Sequence, residues 1–155
     1  MDVRATLRSS YLRLAAPGAT AVAVAWSVRH WRPEPLASHD VAALAGPVVL
    51  VLSAAAALAL PLWQRARFVY RVKDRKNLAL DEFLRFERGQ LALVMCAVYP
   101  ALIGYLLDVS RFHFTGAFLL ALYGAYYYFP SRRRVAHEMR LFRVATSPVE
   151  TGPGA

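Results

Sequence analysis

Val41 to Trp63, VAALAGPVVLVLSAAAALALPLW, runs for twenty-three residues without a charged side chain. At about 1.5 Å rise per residue, a helix of that length reaches about 35 Å, enough to cross a hydrocarbon core of roughly 30 Å. A buried helix in a soluble chain of 155 residues is seldom so long and so uniformly apolar. Trp63 closes the run as an interfacial anchor. The composition agrees, because 57% hydrophobic residues and a mean hydropathy of +0.33 exceed what globular domains carry. The expected fold is all-α: an integral membrane four-helix bundle with cytoplasmic juxtamembrane amphipathic helices.

Three weaker apolar stretches complete the count. Leu14 to Val28 is uncharged but short, so the first span, about 14–30, needs Arg13 and Arg29 to snorkel and Trp26 and Trp31 to sit at the interface. Arg4, Arg8 and Arg13 before LAAPGATAVAVAW also resemble a secretory signal, with AVA at 23–25 as a cleavage motif. Pro17 and Gly18 weaken that apolar region and favour an uncleaved anchor. The third span, 91–108, carries Pro100 near its centre, which removes one backbone hydrogen bond and predicts a bend. The fourth, 112–129, places Ala117, Ala121 and Ala125 four apart, the small-residue spacing of a close helix contact. Helix packing is therefore expected at Ser53, Ala57, Pro100, Ala117, Ala121 and Ala125.

The charges lie between and beside these runs. Sixteen of the nineteen Lys and Arg residues fall at the N-terminus, in the loop 64–90 or after residue 130, and only Arg29, Arg32 and Arg111 fall on the other side. That asymmetry places both termini and the loop in the cytoplasm, the location expected being a bacterial cytoplasmic (inner) membrane. Arg65, Arg67, Arg71, Lys73, Arg75 and Lys76 then form a basic collar for anionic lipid head groups, joined by Arg132, Arg133 and Arg134 after the fourth span. Asn77 is placed to cap a second, charge-balanced helix over 77–88, whose apolar stripe of Leu80, Phe83 and Leu84 offers a contact for a protein partner. On that reading, Phe83→Ala with Leu84→Ala weakens a complex and leaves insertion intact. Val135, Met139 and Phe142 recur at helical spacing among basic residues, predicting a surface helix over 131–144 that lies along the membrane. Pro33 and Pro35 mark a short extended loop, residues 1–144 read as one transmembrane domain, and 145–155 reads as a disordered tail.

Away from their ends, where Arg29, His30, Asp108 and His113 lie, the spans contain no acidic or basic side chain of the kind that proton relays and coupled transporters use. The lone Cys96 excludes an intrachain disulfide or a CxxC redox pair. His30, His39 and His113, with Glu34, Asp40 and Asp108 in the same short external loops, match no defined ligand spacing. No catalytic, cofactor-binding or metal-binding residue is assigned, no cofactor is expected, and the chain is not read as an enzyme. The reading that remains is a structural or accessory component of a membrane complex. Its partners would be an anionic bilayer and a membrane protein or further copies of itself, and not nucleic acid. The alternatives are a small oligomeric transporter or channel and an external-side haem or metal binder. Reporter fusions at Lys76 and Ser38 should report opposite sides of the membrane; both on one side would overturn the span count.

Overall fold

A computed structural model describes residues 3–32, 34, 36–73 and 77–144. Pro33 and Pro35, Arg75 and Lys76 of the basic collar, and the tail 145–155 lie outside the described residues. Helix α1 (Val3–Trp31) is followed by α2 (His39–Ala54), a π turn over Ala55–Ala59 and α3 (Leu60–Val72), which run on without a break. Helices α4 (Leu80–Met95) and α5 (Val98–Leu106) form a second long rod, and α6 (Arg111–Tyr127) and α7 (Arg132–Leu141) complete the chain. No strand occurs among the described residues. Two rods, His39–Val72 and Leu80–Leu106, are long and apolar enough to cross a membrane. The expected first and fourth spans do not reach that standard: the uncharged part of α1 is short, and α6 has 17 residues.

Both long rods depart from α-geometry just before a proline. Pro61 has no N–H, and its ring would crowd the carbonyl of Ala57. The π turn ends immediately upstream, where the Leu60 N–H donates to Ala55 O, and the extra residue takes up the misfit. Pro100 likewise leaves the Cys96 carbonyl without its usual donor, and the Tyr99 N–H donates to it at 3.2 Å in a tighter turn. The ladder is thus interrupted at Cys96 and Ala97, one turn before the proline that causes it.

Small side chains face inward along the apolar part of the bundle. Helix α2 packs on α5 and α6, α1 packs on α4 and α5, and the π turn touches both α4 and α6. Val49, Ala101 and Ala117 form one buried contact, and Ala57, Ala97 and Ala121 the next. Ser53 Oγ donates to Ala97 O at 3.4 Å between them. A Cβ added at Gly124 would stand 2.7 Å from the Val94 side chain, and one at Gly104 would stand 2.9 Å from that of Val49, so at both positions glycine makes room for a valine of a neighbouring helix. Most large apolar side chains of α2 point the other way, Leu44 being 77% exposed and Val51 64%, while Val49 is buried. Only 28% of the most apolar stretch of the first rod and 33% of the second is buried inside the chain.

Past Trp63 and before Leu91 the packing reverses and becomes aromatic. Phe68 stacks on Phe86 with ring centroids 3.9 Å apart, and Phe142 meets both rings edge-on. Phe83, Leu78 and Val144 close this core, and the Leu78 N–H donates to Arg143 O at 3.3 Å. Beside it, Leu84 packs with Leu7 and Val135. Helix α7 therefore folds back onto α3, α4 and the start of α1, and its apolar face is not turned to lipid as the sequence suggested. Leu80 is half-buried and Phe83 and Leu84 are buried, so the stripe expected to meet a partner meets the chain's own helices. Phe83→Ala with Leu84→Ala would report on folding instead. The helix also begins later than expected. Ala79, in extended conformation, precedes Leu80 and takes the first N–H groups on its carbonyl, so Asn77 is not the cap.

Enlarging a fully buried small residue tests this inverted packing. Ala57→Leu should lower the stability of the detergent-solubilised protein by about 1–3 kcal/mol through overpacking, whereas Leu44→Ala should change it by about 0.5 kcal/mol or less. Equal effects in thermal unfolding would contradict the arrangement of small residues inside and large residues outside.

Candidate functional site

The basic end of the bundle holds two carboxylates that its folding removes from water. Glu87 follows Phe83 by four residues on α4, and Glu138 follows Val135 by three on α7, so each lies on the buried face of its helix. Both are 5% exposed. Burial of a charge at that level needs a partner, and each glutamate has an arginine.

Arg65 on α3 grips Glu138 through two parallel bonds, Nη1 to Oε1 at 2.8 Å and Nη2 to Oε2 at 3.1 Å. This fork geometry is the strongest form of the pair, and it ties α3 to α7. Arg134 reaches Glu87 Oε2 at a longer 3.4 Å, donates to Tyr127 O at 3.3 Å and lies 4.6 Å over the Tyr128 ring. Ser131 sets its position by capping α7, accepting the Arg134 N–H at 3.3 Å. One arginine thus joins α4, the end of α6 and α7. Two cations and two anions balance, so the cluster clamps helices together and presents little net charge.

A polar layer adjoins the clamp. Gln90 is fully buried, and its Nε2 donates to Pro61 O at 3.2 Å, which fixes the register of α4 against α3. Gly89 permits the Gln64 amide to lie against α4, since a Cβ there would fall 2.8 Å from Gln64 Nε2. Gln64 Oε1, Glu87 Oε1 and Gln90 Oε1 are buried and have no hydrogen-bond partner among the described residues. A cleft of about 570 Å³ opens beside α7, but the arginines on its wall, Arg65 and Arg134, are the ones already paired.

Of the nine cations assigned to lipid head groups, Arg65 and Arg134 are corrected by this geometry: they are half-buried and paired with glutamates. Arg67, Arg71, Lys73, Arg132 and Arg133 are exposed. Arg67 is held over Trp63 at 5.4 Å and Lys73 over Tyr70 at 4.5 Å. Among the residues assigned to helix packing, Ser53, Ala57, Ala117 and Ala121 are buried and Pro100 and Ala125 half-buried. The Ala125 carbonyl accepts a bond from the Tyr11 hydroxyl at 3.1 Å.

At the opposite end Arg29 pairs with Asp108 at 2.7 Å, joining α1 to the turn after α5. Asp108 occupies the left-handed region there, with φ 57°. His30 stacks on Trp26, and His113 Nδ1 lies 2.7 Å from Ser110 Oγ and packs over Gly46. Among the described residues no group of three or more His, Cys, Asp or Glu side chains is placed to hold a metal ion.

Comparison with protein-family models, with curated proteins and with solved structures finds no match.

Removing one member of the clamp should cost more than removing both. Glu138→Ala leaves Arg65 without its carboxylate and should cost about 2–3 kcal/mol. Arg65→Met combined with Glu138→Leu should recover most of that loss. A double-mutant cycle by thermal unfolding reads the coupling, and additive single effects would show that the pair contributes no coupling.

Proposed function

We propose that the chain is a four-span membrane protein of the bacterial cytoplasmic membrane that serves as a packing or accessory subunit of a membrane assembly, with another membrane protein or further copies of itself as partner. The observation that carries this reading is the inverted side-chain distribution. Leu44, Val48, Val51 and Leu52 on α2, and Leu119 and Leu122 on α6, are exposed, while the contacts between helices are made largely by alanine, glycine and serine, with Val49 and Val94 packed among them. Water would drive the large residues inward, whereas lipid supplies no such drive and rewards close backbone approach.

Charge supports the orientation. The clamp, the aromatic core and most of the basic residues gather at one end, which the positive-inside rule assigns to the cytoplasm together with both termini. On this reading α1 and α6 cross with their charged ends at the interfaces, and the deficit in α6 is taken up by snorkelling or local thinning.

The interior argues for a role in packing over one in transport. Ala57, Ala97 and Ala117 are buried completely, and no ionisable side chain stands at their level. A conducting pathway would therefore have to form between copies. Affinity purification in mild detergent should recover the chain in a defined assembly larger than a monomer. Monomers alone, under conditions that keep other membrane complexes intact, would remove the accessory reading, and solute flux in proteoliposomes would replace it with the oligomeric transporter or channel.

A further inference from the structure

Outside the clamp, α3 and α4 enclose a second cleft of about 680 Å³ on the surface of the bundle. Its register is set by Gln90 against Pro61 and by Phe68 stacked on Phe86. Because the two helices are antiparallel, that register orders the lining residues by level. Leu60 and Leu93 lie at the apolar end, Trp63 comes next, Arg67 and Arg85 follow, and Arg71 stands beside Glu82 at the far end.

This sequence of chemistries follows that of a lipid molecule lying along the bilayer normal. Aliphatic side chains flank the hydrocarbon level, tryptophan marks the interface, and three arginines against one glutamate lie at the level of a phosphate. Unlike Arg65 and Arg134, the three arginines are exposed, and Arg67 is steadied over the Trp63 ring. An arginine fork suits phosphate oxygens, and positions from two different helices restrict where the phosphate can sit. From this charge complementarity and polarity gradient we infer that the α3–α4 cleft binds one anionic phospholipid, its phosphate among Arg67, Arg71 and Arg85 and an acyl chain along Trp63, Leu60 and Leu93. The inference rests on the membrane reading above and narrows it from a diffuse basic collar to one site.

Tryptophan quenching tests the site in the full chain. With Trp26 and Trp31 replaced by Phe, Trp63 is the remaining fluorophore, and vesicles of phosphatidylcholine receive a minor fraction of acyl-brominated phosphatidylglycerol or, separately, brominated phosphatidylcholine. The brominated phosphatidylglycerol should quench Trp63 with an apparent affinity on the order of fivefold or more above that of brominated phosphatidylcholine. Replacing Arg67, Arg71 and Arg85 together by Gln should abolish the preference. Replacing the exposed Arg132, Arg133 and Arg140 by Gln removes the same charge elsewhere and should leave the preference in place.

Equal loss in the two triple variants would reduce the effect to overall charge and overturn the site, as would the absence of any preference in the parent. Helicity by circular dichroism and flotation with the vesicles are measured for every protein. A chain that floats without a lipid preference sinks the cleft proposal alone, whereas a folded chain that does not float sinks the membrane reading as well.

Discussion

Backbone approach between the long rods is the constraint on which the other features depend. Ala57, Ala97, Ala121 and Gly124 lie where the π turn meets α4 and α6, and Val94 fills the space beside Gly124. Such contacts gain from dispersion, and the Ser53 hydroxyl adds a long hydrogen bond to Ala97 O at 3.4 Å. They also leave Leu44, Val48, Val51 and Leu52 of α2 directed outward, since a helix with a small inner stripe presents its remaining faces to the surroundings. The proline adjustments serve the same contacts. The π turn and the tightened turn before Pro100 lie at the level of Ala57 and Ala97, so both departures from α-geometry occur where the rods are closest.

That economy of side chains has a consequence at the basic end. Small residues give little burial, so the segments beyond the apolar runs are secured differently, by Phe68, Phe83, Phe86 and Phe142 and by two buried ion pairs. The aromatic core supplies area and the ion pairs supply register: the fork between Arg65 and Glu138 admits few alternative placements of α7. Arg134 extends the same logic to the end of α6, where its contacts with Tyr127 and Tyr128 anchor that helix end to the clamp. A bundle with a loosely specified exposed apolar shell is thereby closed at one end by a highly specified polar one.

Helical character and the two long apolar runs were legible because uncharged length is a direct physical signal: Val41 to Trp63 lies within one continuous helical rod, His39–Val72. The small-residue spacings at Ser53–Ala57 and Ala117–Ala121 also pointed to residues that are buried. The aromatic and ionic end was not legible as a unit. Phe83 and Leu84 on one helix and Val135 and Phe142 on another each read as an apolar face in need of an external surface, and only their distance apart in the chain concealed that they cover each other. A clue was present in Glu87 and Glu138. Each carboxylate shares a helix face with a residue expected to be buried, a placement that requires a buried cation. Pro61 was a similar clue to the π turn, since a proline inside a long apolar run must be accommodated upstream.

The arginines illustrate why a count of charges cannot assign their roles. Arg65 and Arg67 are two residues apart on one helix, and a separation of about 200° around the axis sends one inward to Glu138 and the other outward over Trp63. Arg133 and Arg134 are neighbours with the same outcome: the first is exposed, while the second is enclosed by Glu87 and Tyr128. The net charge of +9 is therefore a sum over two populations with different physics. The inward pair belongs to the fold and is neutralised by it. The outward group keeps its field, and where it lines a cleft with an aliphatic floor, as Arg67, Arg71 and Arg85 do, helix phase has turned a uniform-looking basic loop into a surface with one place that differs from the rest.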